Sequence, residues 1–130
     1  MHIESQKVTA DKSQQEMFEF LTNAENYEQL MPESKEKFEV RDEKTFVFGL
    51  KGMPVIKLQI QETIEPELVV LGSTSDKLDF TLKAHISALN ENQSEVQMEF
   101  NGEFNAMMAM MVKKPLSKFI NTLAENIGKL

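Results

Sequence analysis

The feature that most constrains this chain is a long alternation of apolar and polar residues that gives way, near Ala106, to a helical period. An alternating run can bury one face of a strand, and an apolar stripe every three or four residues can bury one side of a helix. The alternation is clearest near its end. Leu78, Phe80, Leu82, Ala84, Ile86 and Ala88 share one parity against Asp79, Thr81, Lys83, His85 and Ser87. Asn90-Glu91-Asn92 forms the turn, and Val96, Met98, Phe100, Gly102 and Phe104 alternate with acidic and amide residues on the way back. This is a long antiparallel hairpin with one dry face. The closing segment places Met108, Met111, Val112, Pro115, Leu116, Phe119, Ile120, Leu123 and Ile127 along one helical side. A sheet buried on one face and a helix buried on one stripe need each other, so the helix is expected across the concave side of a curved sheet.

The rest of the chain fits this frame. A first strand is expected between His2 and Ala10. Ser13 followed by Glu16 has the spacing of a capping box, which predicts a helix through Met17, Phe18 and Leu21. A second short helix carries Tyr27, Leu30 and Met31 to its stop at Pro32. Further strands follow at Phe38–Val40, Phe46–Leu50, Ile56–Gln61 and Leu68–Leu71, with turns at Asp42-Glu43-Lys44, around Gly49, Gly52 and Pro54, at Glu65-Pro66-Glu67 and from Gly72 to Asp76. Pro115 lies inside the last helical pattern. Either the helix begins near Lys114 with proline in its first turn, or a longer helix kinks there, and the longer helix is the preferred reading. No linker or repeat divides residues 1–130, so one α+β domain is expected, with about six or seven strands.

Charge and composition exclude several functions. The absence of cysteine removes thiol catalysis and thiolate metal sites. A formal charge of -7 disfavours nucleic acid and anionic membranes as partners, because phosphate binding requires a basic surface. Arg41 is the single arginine and hence the one centre able to grip an anion bidentately. Beside Asp42 it reads more simply as a solvated turn residue. No apolar run is long enough to span a bilayer, and the acidic, polar start Met1-His2-Ile3-Glu4 lacks the pattern of a secretory signal. A cytoplasmic location is expected, with no integral membrane association.

No residue set assembles into a recognised reaction centre. His85 points away from the apolar face by parity, which suits a surface strand residue better than a general base. The scattered serines and threonines have no histidine near them by parity, so no triad forms. The glycines occur singly, which excludes a phosphate loop. Glu62 shares parity with Ile56, Leu58, Ile60 and Ile64. It would therefore sit on the buried face, where burial would raise its pKa, unless a bulge shifts the register. Glu4 and Gln6 pose the same question on the first strand. No metal or cofactor is expected.

The segment from Glu16 to Pro32, an aromatic helix, a polar break and a closing proline ahead of a long sheet, resembles the START-like helix-grip (SRPBCC) superfamily and its polyketide cyclase/dehydrase-like branch. Pro115-Leu116-Ser117-Lys118-Phe119-Ile120-Asn121-Thr122-Leu123 is similar to that group's closing helix, and the likeness covers the whole chain. The resemblance implies a cavity between sheet and helix for a small apolar ligand, lipid-like or polyketide-like. Its expected wall is Phe46, Phe48, Leu58, Leu82, Met98 and Phe100 on the sheet, with Met108, Met111 and Phe119 on the helix. The resemblance also places the methionine cluster Met107, Met108, Met110 and Met111 beside the cavity mouth, where flexible thioethers suit adaptable surfaces. Two alternatives stand beside ligand binding. One is a cyclase or dehydratase using Glu62 as the named candidate for the acid or base inside the cavity, and the other is a protein-interaction module whose core is filled by its own side chains.

Overall fold

The computed structural model describes residues 1–51, 53–74 and 79–130. The expected residues Gly52, Ser75, Asp76 and Leu78 lie outside the described residues. Among those described, eight strands form one antiparallel sheet in the order β1-β8-β7-β6-β5-β4-β3, with β2 also paired to β8. In chain order they are β1 (His2–Glu4), β2 (Val8–Ala10), β3 (Lys37–Asp42), β4 (Thr45–Gly49), β5 (Ile56–Ile64), β6 (Leu68–Ser73), β7 (Phe80–Asn90) and β8 (Gln93–Gly102). Helix α1 spans Gln14–Leu21, a 3₁₀ helix spans Ala24–Leu30, and α2 spans Ala106–Ile127. The sheet curves around α2 in the helix-grip arrangement that the alternation and the closing helix predict. No helix among the described residues is long and apolar enough to cross a membrane.

Local chemistry sets the boundaries. Ser13 accepts from the Glu16 amide and Glu16 accepts from the Ser13 amide, the reciprocal cap that the spacing predicts for α1. Asn105 caps α2 by accepting from Met108 N–H at 2.8 Å. Pro115 is inside α2, so the longer of the two expected helices forms, and the proline leaves the Met111 carbonyl without its usual partner four residues on.

The expected first strand is two strands. Glu4 pairs with Glu99, yet Val8 pairs with Val96, so one residue is inserted between them. Ser5 fills the break: its N–H donates to Met98 O, and its hydroxyl accepts from Met98 N–H, both at 2.9 Å. The second short helix is 3₁₀ rather than α. Its one buried phenol, Tyr27, donates to Leu21 O at 2.7 Å, and burial pushes its pKa far above the ordinary value.

The core lies between the inner face of the sheet and α2. From the helix it takes Val112, Leu116, Phe119, Ile120, Leu123, Ala124 and Ile127, all buried. Each such large side chain contributes roughly 1.5–3 kcal/mol by leaving water.

Candidate functional site

Where the first half of α2 meets the sheet, an open cavity of about 270 Å³ is lined by Pro32, Ser34, Leu50, Lys51, Pro115, Lys118 and Phe119. Three segments build it. The proline that stops the 3₁₀ helix forms one side, the residues after β4 form the second, and the Pro115–Phe119 turn of α2 forms the third. Phe119 and Leu50 are buried and make an apolar floor, whereas Lys51 and Lys118 stand exposed at the rim. Neither lysine has an ion-pair partner among the described residues, whose salt bridges involve His2, Lys37, Arg41 and His85. Met111 precedes Pro115 and Lys118 by four and seven residues on the same side of α2. It is 65% exposed. A larger groove of about 630 Å³ runs between the 3₁₀ helix and β3, but Glu25, Glu28 and two amides line it with Phe38 and Val40. The smaller cavity is the better apolar site.

Of the expected wall, Phe119 lines this cavity. Phe46, Phe48, Leu58, Leu82, Met98 and Phe100 are buried and belong to the packed core. There the aromatic rings meet directly: Tyr27 stacks on Phe46 at 4.9 Å, and Phe48 stacks on Phe119 at 4.9 Å. Met108 is half-buried against the core, whereas Met107, Met110 and Met111 are exposed. The burial of α2 begins only at Val112, so the helical parity that groups Met111 with Val112 overstates the width of the buried stripe.

Glu62 requires a correction. The pairing of β5 with β6 shifts between Ile60, opposite Leu71, and Glu62, opposite Val70. Gln61 is the extra residue of a bulge, and beyond it the parity inverts, turning Glu62 to the outer face, where it is exposed. The strand end also leaves the core, since Gln61, Glu62, Thr63 and Ile64 are all exposed. Glu4 is likewise exposed, and Gln6 falls in the break between β1 and β2. His85 is on the outer face as its parity predicts, and its Nε2 lies 2.8 Å from Glu99 Oε1. That contact holds the Glu99 carboxyl below the usual carboxylate range. Arg41 is an exposed partner of Glu39 at 3.3 Å.

Pro32, Leu50, Lys51, Pro115 and Lys118 were not expected at the site. Pro32 and Pro115 read in the sequence only as punctuation of helices, and the lysines as solvated charge. Leu50, an apolar residue directly before a turn, was the available signal.

No family model matches the sequence, and no curated protein matches it. Solved structures do match over nearly the whole chain. A START superfamily protein from Mycobacterium smegmatis is 10% identical, with a TM-score of 0.68 over 98% of this chain and 97% of its own. Norcoclaurine synthase from Thalictrum flavum, solved in complex with dopamine and hydroxybenzaldehyde, is 13% identical, with a TM-score of 0.74 over 99% of this chain and 84% of its own. A conserved protein from Geobacillus kaustophilus is 10% identical, with a TM-score of 0.68 over 99% of this chain and 93% of its own. At these identities the likeness is one of architecture, and on it the chain has the START-like helix-grip fold.

Proposed function

We propose that the protein binds a small amphipathic acid of the lipid or polyketide class at the cavity between α2 and the loop after β4. The observation that carries this reading is the pairing of an apolar floor, Leu50 and Phe119, with two rim lysines, Lys51 and Lys118, that have no ion-pair partner among the described residues. Burial of the ligand's apolar part supplies affinity without direction, and the lysines supply the polar anchor that orients it. A volume of about 270 Å³ suits a short chain or a single ring system, with any longer tail lying along Met111 and Met107. The structural neighbours support a ligand-binding use of the fold. Mass spectrometry of the purified protein under native and denaturing conditions, followed by titration with dodecanoate, tests the proposal. A bound acid released on unfolding, or saturable micromolar binding, is the expected result. A clean protein mass with no saturation by dodecanoate or by a panel of aromatic acids overturns it.

A second reading, a protein-docking module with a filled core, is favoured by the stacked interior and by the exposure of Met107, Met110 and Met111. It becomes the better account if no acid binds.

A further inference from the structure

The chain as a whole is acidic, but its charge is unevenly spread. Between Glu103 and Glu125 the sequence holds three lysines, Lys113, Lys114 and Lys118, and no acid. The same stretch contains Ala106–Val112, the opening of α2, in which no side chain is polar. Of these residues Val112 is buried and Met108 and Ala109 are half-buried, whereas Met107, Met110 and Met111 are 75%, 83% and 65% exposed. A single exposed apolar side chain is ordinary. Three within two turns of one helix form a patch facing water.

Helical spacing puts Met107, Met110, Met111, Lys114 and Lys118 on one side of α2, and all five are exposed. Along that side the apolar residues come first and the basic ones follow. The rise of the helix, about 1.5 Å per residue, separates Met107 from Lys114 by roughly 10 Å. Interfacial segments sink about 5–10 Å into the boundary between headgroups and acyl chains, so methionines at that depth leave the ammonium groups level with the phosphates. None of the three lysines has an ion-pair partner among the described residues. A protein partner needs hydrogen bonds to fix its register, about one per 100–200 Å² of interface. Ala106–Val112 has no side chain that could make them, whereas a fluid apolar layer beneath an anionic surface asks for none.

We propose that the opening of α2 docks the protein on an anionic lipid surface, with Met107, Met110 and Met111 entering the interface and Lys113, Lys114 and Lys118 against the lipid phosphates. The docking is peripheral and reversible. Neither the methionines nor the lysines suffice alone, because a short apolar patch and a small basic cluster are each weak anchors. The acidic remainder of the chain orients the approach, since an anionic surface repels the molecule when any other side leads. The turn between β7 and β8, which follows Leu89, lies at the opposite end of β8 from the start of α2 and stays in water. This docking stands whether or not the cavity takes a ligand. Pro115 and Lys118 also line that cavity, so docking brings its opening toward the lipid.

The chain has no tryptophan, so Met110→Trp and Leu89→Trp each carry a single fluorescent reporter. Titration of the full chain with vesicles of mixed phosphatidylcholine and phosphatidylglycerol should move the emission of Met110→Trp to shorter wavelength and leave that of Leu89→Trp unchanged. Vesicles of phosphatidylcholine alone should bind at least tenfold more weakly, and added salt should weaken binding to the mixed vesicles. In cosedimentation with the mixed vesicles, Met107→Gln/Met110→Gln/Met111→Gln and Lys113→Glu/Lys114→Glu should each lose at least tenfold in affinity. All five residues are exposed, so the urea midpoints should stay near that of the parent. Absence of parent binding to the mixed vesicles overturns the proposal, and self-association that the methionine variant abolishes would then make the face a contact between copies of the chain. Full binding by the methionine variant also overturns it, because that signifies adsorption by charge alone, as do equal shifts of the two reporters, which signify no preferred face.

Discussion

Phe48 on β4 and Phe119 on α2 stack with ring centroids 4.9 Å apart and planes within 16° of parallel. This contact fixes how far the helix stands from the sheet, because Phe46 and Tyr27 continue the stack on the β4 side. Phe119 thereby serves both regions, since it packs in the core and also lines the open cavity.

Truncating Phe119 to alanine removes a ring that is 3% exposed and joins the cavity to the core. The expected loss is about 3–5 kcal/mol in urea unfolding, the usual cost of a deleted buried aromatic. The void should also take up a small apolar solute, so benzene should raise the melting temperature of the variant and leave the parent unchanged. Failure of benzene to stabilise the variant would show that α2 collapses onto the sheet.

Two buried serines should respond oppositely to alanine. Ser5 accepts from Met98 N–H at 2.9 Å and donates to Gln6 O at 2.8 Å, so Ser5→Ala strands a buried donor and should cost about 1–3 kcal/mol. Ser94 Oγ is buried without a partner among the described residues, between Ala10 and Ala88 in the ladder. Ser94→Ala removes an uncompensated hydroxyl and should stabilise by up to about 1 kcal/mol. Urea midpoints of the two variants decide both.

The α1 cap should be visible in pH. Hydrogen bonds from the Ser13 backbone and hydroxyl hold the Glu16 carboxyl below its ordinary value of 4.5. A carboxyl with a lowered folded-state pKa adds stability that is complete above the unfolded value and disappears as pH falls through the folded one. Glu16→Gln should therefore melt below the parent at pH 7, and the gap should close below pH 4.5, on the acid side of the ordinary value. A gap that is independent of pH would remove the charge from the account.

Much of this architecture is legible because alternation survives wherever one face is buried and the other wet, as in β7 and β8. What escapes is the point where an extra residue resets the parity. Around Gln61 the series Ile60, Glu62, Ile64 keeps its spacing in the sequence while the strand turns over beneath it. Gly72 carried the available hint. The amide end of the Gln61 side chain lies over Gly72, where a Cβ would otherwise stand. Ser5 hides the break between β1 and β2 in the same way, since a hydroxyl replacing a backbone acceptor leaves no trace in hydrophobic pattern. The wall of the site was legible as core but not as surface. Periodicity reports which side chains face inward, and only the helix–sheet distance, set by Phe48 and Phe119, decides whether a ligand can reach them.

The rim lysines give the sharpest test of the proposed site. Lys51 and Lys118 are exposed and outside every ion pair of the described residues, so reversing both charges should leave the urea midpoint almost unchanged. Binding of an acid should respond strongly, because two cations at the mouth become two repelling anions. Dodecanoate should bind Lys51→Glu/Lys118→Glu at least tenfold more weakly than the parent. Dodecanol, which has the same chain and no charge, should lose little. Added salt should weaken dodecanoate binding to the parent and strengthen it to the variant, since screening acts on attraction and repulsion alike. Equal losses for acid and alcohol would place the effect in the shape of the cavity, and unchanged binding of both would place the ligand elsewhere on the fold.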